Sequence, residues 1–171
     1  QSRRQRWRNA TVTTIAPTGT ISIIADCSAG IEPLYGIHLV RTVMDGMTLS
    51  RLHPAFARHV ETHGLALPSL QRELEQCASI QHLTQLPASL RQLFITAHDV
   101  SPSHHVRMQA AFQRHSDSGV SKTINLPPTA TLQDVAEAFQ LAHHLGCKGL
   151  TVFRSGSRHD QVLSCSQQQS C

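Results

Sequence analysis

The chain has 171 residues, 40% of them hydrophobic and 15% charged, which is enough for one domain with a core and too apolar for a disordered segment. Its apolar runs are short and interrupted, which excludes a predicted transmembrane helix, and the basic start lacks the apolar stretch of a signal peptide. The net charge of +4, supplied almost wholly by arginine, favours anionic partners such as nucleotides, phosphates or nucleic acid; a charge imbalance in a piece whose acidic half lies elsewhere accounts for it equally well.

Residues 9–15 (Asn-Ala-Thr-Val-Thr-Thr-Ile) are rich in β-branched side chains and predict a strand. That strand begins almost at once, with no initiator methionine, so the chain is expected to start inside a longer one. A breaker cluster, Ala16-Pro17-Thr18-Gly19-Thr20, then leads into a short helix start over 21–25. Pro33 and Gly36 predict irregular structure over 27–39.

Four helices follow. Pro54 suits a first turn and Gly64 the end of that helix, while 70–79 and 87–94 are shorter candidates. Ser101 and Pro102 form an N-cap and N1 pair for a helix running through Val106, Met108, Ala110, Phe112 and Gln113 to about His115.

Residues 120–126 predict a strand closed by Pro127 and Pro128. Thr131 with Asp134 resembles a capping box, and Leu132, Val135, Ala138, Phe139, Ala142 and Leu145 are expected on one buried stripe before Gly146 at C′. A second strand covers 149–153. Strand, helix and strand make a βαβ unit with parallel pairing, so the fold class is α/β. Residues 164–171 are polar and aperiodic and are expected to be a tail, and no internal repeat is present.

The chemistry points to Pro17, Thr18, Gly19, Thr20 and Ile21. The first amides of a helix lack intrahelical acceptors and the helix dipole adds partial positive charge, so a strand feeding such a turn makes an anion site. Gly19 would let a phosphate approach the backbone, and the hydroxyls of Thr18, Thr20 and Ser22 add donors. Neither GxxxxGK[ST] nor GxGxxG occurs, which excludes the usual nucleotide loops. On spacing alone, an ordinary strand-to-helix turn fits as well.

Five dispersed cysteines without CxxC or a secretory signal predict a reducing cytoplasm and no disulfide framework. Cys27 and Cys147 are expected to be buried small hydrophobes. His59 and His63 have metal-compatible spacing, but Val60 follows His59 where HExxH needs glutamate. Adjacent pairs, His104 with His105 and His143 with His144, point to different sides of a helix, so no metal is expected and these histidines are read as surface groups. Arg3, Arg4, Arg6 and Arg8 around Trp7 have the make-up of a nucleic-acid patch, but no nucleic-acid motif accompanies them and a solvated lead-in over 1–8 is the preferred reading.

A resemblance sharpens the choice. The run Arg8-Asn9-Ala10-Thr11-Val12-Thr13-Thr14-Ile15-Ala16-Pro17-Thr18-Gly19-Thr20-Ile21-Ser22 resembles the phosphate-loop segment of adenosylcobalamin-dependent (class II) ribonucleotide reductases. Cys27 to Pro33, Thr96 to Pro102, His105 to Gln113, Val120 to Pro127 and Gly146 to Arg154 resemble later family segments in the same order, so the similarity spans about 8–163. It implies the C-terminal part of a ten-stranded α/β barrel, with Pro17 to Ile21 holding the substrate phosphates. The implied reaction reduces a ribonucleotide to its 2′-deoxy form through a cysteine thiyl radical, generated by the adenosyl radical of adenosylcobalamin. The implied partners are the ribonucleotide, the N-terminal part of the same enzyme and a thioredoxin-type reductant.

The family's radical cysteine lies in Asn-x-Cys-x-Glu, and no cysteine here has that setting, so the segment alone is expected to be inactive. Cys165 and Cys171 resemble a C-terminal redox shuttle in position but not in spacing. The rival reading is a stand-alone module for phosphates or nucleic acid, which predicts that the isolated chain folds cooperatively and binds anions; a cut barrel leaves unpaired strand edges and predicts poor autonomous stability.

Overall fold

The computed structural model describes residues 8–42, 48–157 and 163–164. The described residues form two compact units, one built from 8–31, 103–124 and 131–152, the other from 32–42, 48–102, 125–130, 153–157 and 163–164.

In the first unit the expected strand over 9–15 is reduced to one parallel bridge between Ile15 and Val120. β-propensity alone does not make a strand; a ladder needs paired neighbours, and here residues 118–121 supply only a short run. The short helix α1 is Gly19–Ile24. Helix α5 is Pro102–Gln113, beginning at the expected proline, and α6 is Leu132–His144. The capping box forms in full: Thr131 Oγ1 accepts the Asp134 amide while the Asp134 carboxylate accepts the Thr131 amide. Gly146 takes the left-handed conformation (φ 76°) required just past α6.

The stripe expected on α6 divides. Ala138 and Ala142 are buried with Val135 and Leu145 partly covered, whereas Leu132 is 90% and Phe139 50% exposed. Residues 132 and 139 are seven apart and share a helix face, but that face is turned away from the unit's interior.

Strands β3 (Thr123–Leu126) and β4 (Thr151–Arg154) are neighbours in a two-stranded sheet joined in sequence through α6. Their first halves belong to the first unit and their second halves to the second.

The second unit holds the described hydrophobic cluster. Strands β1 (His38–Thr42) and β2 (Thr48–Leu52), missed in the sequence, form an antiparallel hairpin in the register His38↔Leu52 to Thr42↔Thr48. β5 (Leu163–Ser164) pairs antiparallel with the other side of β1, so Ser164 belongs to a strand and not to the expected tail. Helices α2 (Pro54–Thr62), α3 (Leu67–Gln76) and α4 (Ala88–Leu93) follow close to their expected positions, α3 starting earlier because Pro68 sits in its first turn.

Phe56 and Val60, then Leu70 and Leu74, are i, i+4 pairs that put one apolar face of each helix into the core. Phe94 meets Phe56 edge-to-face at 5.3 Å, with the rings of His53 and His59 each at 5.8 Å. Burying each phenylalanine contributes about 2–3 kcal/mol. The Asp99 carboxylate closes the following turn by accepting the Thr96 amide, the Thr96 hydroxyl and the Ser79 hydroxyl.

Candidate functional site

The 17–21 loop is shaped by a residue the sequence reading did not single out for its backbone. Thr18, the N-cap of α1, is left-handed (φ 50°, ψ 26°) and makes no side-chain capping bond. For a residue with a Cβ this conformation costs about 1–2 kcal/mol. It is not Gly19 that bends the chain. A Cβ placed on Gly19 meets no atom within 4 Å, so the space beside it is open to solvent.

Ser22 is the first α1 amide to find a helical acceptor, the Thr18 carbonyl at 3.0 Å. Helix geometry leaves the amides of Gly19, Thr20 and Ile21 without intrahelical partners. Ser22, the buried residue of α1, turns its hydroxyl to the Gly19 carbonyl at 2.8 Å and braces the turn from below. The rest of the helix faces outward: Ile21, Ile23 and Ile24 are 62%, 44% and 80% exposed.

The stem before the loop is held on two sides. Backbone bonds run from Ser118 N to the Thr13 carbonyl (2.9 Å) and from Ser121 N to the Ile15 carbonyl (2.8 Å), and the Thr14 hydroxyl donates to the Gly119 carbonyl (2.8 Å). Opposite, Gly30 is left-handed (φ 52°), and a Cβ there would lie 3.3 Å from the Ala16 carbonyl oxygen, closer than a side chain fits comfortably. Asp117 adds a side-chain clamp. One carboxylate oxygen accepts the amides of Val12 (3.1 Å) and Thr13 (3.2 Å) and the Thr13 hydroxyl (3.1 Å), while the Asp117 amide donates back to that hydroxyl (2.9 Å). The Val12 amide first, and the Thr13 hydroxyl next, hold this carboxyl below the usual carboxylate range.

The turns flanking the stem are tied in as well. Lys148 donates its ammonium to the Asp117 carbonyl and its amide to Gln113 Oε1 (3.3 Å). Gln109, 1% exposed on α5, donates through Nε2 to the carbonyls of Val120 (3.1 Å) and Gly149 (2.7 Å). Gly30, Gln109 and Gln113 fall within runs that carry the family resemblance, but neither spacing nor composition marks them, or Asp117, for these contacts.

The sequence profile described as ribonucleotide reductase, barrel domain, matches residues 2–153. The chain belongs to this family. It is similar to the vitamin B12-dependent ribonucleoside-diphosphate reductase of Thermoplasma acidophilum, 44% identical over 159 residues that make up 93% of this chain and 21% of that protein. It is also similar to the protein of the same name from Mycobacterium tuberculosis, 46% identical over 157 residues, or 92% of this chain and 22% of the relative. The reductase segment therefore spans about a fifth of the length of these curated relatives. The class Id ribonucleotide reductase alpha subunit of Actinobacillus ureae shares its fold, with a TM-score of 0.70 and 24% identity over 87% of this chain and 27% of that one. The fold is thus a part of the mixed α/β reductase barrel domain.

The other residues weighed in the sequence fall elsewhere. Cys27 is exposed and Cys147 partly so, against the expectation of burial; the covered part of Cys147 pushes its thiol pKa up. His105 is buried, not a surface group, because it lies on the covered face of α5 while His104 points outward. Cys165, Cys171 and Arg3 to Arg6 lie outside the described residues.

His63 Nδ1 bonds with the His59 carbonyl and His38 Nε2 with the Ser50 hydroxyl, both at 2.7 Å. Among the described residues no group of three or more His, Cys, Asp or Glu side chains is placed to hold a metal ion. Among the described residues no helix is long and apolar enough to cross a membrane.

Proposed function

We propose that this chain is the substrate-phosphate portion of a cytoplasmic, adenosylcobalamin-dependent ribonucleotide reductase. The complete enzyme converts a ribonucleoside diphosphate to the 2′-deoxyribonucleotide, with the radical cysteine and the substrate-reducing cysteines on other parts of the protein. Pro17, Thr18, Gly19, Thr20 and Ile21 hold the diphosphate. A thioredoxin-type reductant restores the enzyme, with Cys165 and Cys171 as the candidate relay to the active site. The segment alone is inactive.

The observation that carries this reading is the Thr18 turn, which leaves the first-turn amides of α1 free of intrahelical partners beside open space at Gly19. The exposed isoleucines of α1 favour a segment of a larger enzyme over a stand-alone module, since a soluble module gains nothing from three outward isoleucines on one short helix.

The test places this segment in the full-length Thermoplasma acidophilum reductase in exchange for its matching part and introduces Gly19→Val. The new side chain occupies the open space and blocks phosphate approach, so KM for the nucleoside diphosphate rises on the order of a hundredfold. An unchanged KM rules out this loop as the phosphate site.

A further inference from the structure

The loop contributes little burial of its own, so its position depends on what holds its stem. Two kinds of restraint act there. The backbone bonds from Ser118 and Ser121 are common to any strand pairing and survive side-chain substitution. The Asp117 carboxylate is different: it gathers two consecutive amides and a hydroxyl from residues more than 100 positions earlier, with its acceptor oxygen 3.1–3.2 Å from each.

Asp117 is also the junction of a wider network. Its own amide returns a bond to Thr13, and its carbonyl accepts the Lys148 ammonium from the turn between α6 and β4. Three segments distant in sequence thus meet at one residue: the stem at 12–13, the turn after α5, and the turn before β4. A carboxylate suits this role because it accepts several donors at once and is held ionised by them.

We propose that Asp117 is a positioning residue for substrate phosphate, setting the direction in which residues 12–15 deliver the 17–21 loop. It touches no substrate atom. Its effect passes through the Val12 and Thr13 amides, the single bridge at Ile15 and the left-handed Thr18 into the first turn of α1. This proposal rests on the phosphate-loop reading given above.

The test compares Asp117→Ala, Asp117→Asn and Gly19→Val in the same chimaeric full-length reductase. With Asp117→Ala, KM for the nucleoside diphosphate rises on the order of tenfold, because the backbone bonds from Ser118 and Ser121 keep the stem attached but no longer aim it. The kcat stays within about twofold, since the radical chemistry is untouched. Asp117→Asn, which keeps one carbonyl acceptor, falls between the two.

If Asp117→Ala leaves KM unchanged while Gly19→Val raises it, the loop assignment stands and the positioning role is overturned. If neither variant moves KM, the loop assignment itself fails. A fall in thermal stability with KM intact also overturns the proposal, leaving Asp117 a merely structural clamp. A second reading, free of turnover, measures the affinity of the same chimaeric reductases for inorganic pyrophosphate by isothermal titration calorimetry. Asp117→Ala weakens that affinity by a similar factor, and equal affinity in both proteins counts against the proposal.

Discussion

Gln109→Glu tests the polar joints of the first unit through a change of one atom type. Gln109 Nε2 supplies two protons to two carbonyl oxygens, those of Val120 and Gly149, while its Oε1 is buried without a protein partner. Glutamate keeps the shape but removes the donors. Ionised, it would set a negative oxygen against two carbonyls; protonated, it can serve one of them. Holding an ordinary glutamate with a pKa of about 4.3 neutral at pH 7 costs about 3.7 kcal/mol, from about 2.7 units at 1.36 kcal/mol each. Losing the second hydrogen bond adds about 1 kcal/mol.

The variant should therefore be destabilised by about 5 kcal/mol at pH 7 but by only about 1 kcal/mol at pH 4. The sign follows from the raised folded-state pKa. The penalty is absent below the unfolded pKa and grows as pH rises, until the folded pKa is reached. Gln109→Met loses both bonds at every pH and should cost about 2 kcal/mol without a slope. Urea unfolding followed by far-ultraviolet circular dichroism at pH 4, 5.5 and 7 reads both. A Gln109→Glu penalty that is the same at all three pH values would refute the assignment of Nε2 as the shared donor.

Gly30→Ala forces a side chain into a left-handed residue 3.3 Å from the Ala16 carbonyl; it should cost about 1–2 kcal/mol and speed amide exchange at 13–16, measured by deuterium uptake. Asp117, ordinarily near 3.8, is held lower by its bonds to Val12 and Thr13, with Lys148 the charged group facing it. Its contribution is therefore complete above the unfolded pKa and lost as pH falls through the lower folded value. Protection of the Val12 and Thr13 amides should collapse across that acid window in the parent chain, and Asp117→Asn should lack the transition.

Local chemistry made several elements legible before any tertiary contact was known. Pro54, Pro102, Thr131 with Asp134, and Gly146 each satisfy a demand of a helix end, and all four mark the helices observed. The turn into α1 was legible for the same reason, and the family came from ordered runs of residues rather than from periodicity. Tertiary contact decided the rest. Residues 9–15 have the composition of a strand, yet with one short neighbour they form a single bridge. Leu132 and Phe139 fit a buried stripe by spacing, but burial depends on what lies opposite a helix face, and nothing local encodes that. The clamp at Asp117 and the joint at Gln109 were invisible for a further reason: their partners lie 105 and 40 residues away in sequence, and a hydrogen bond across such a distance exists only once the chain has folded.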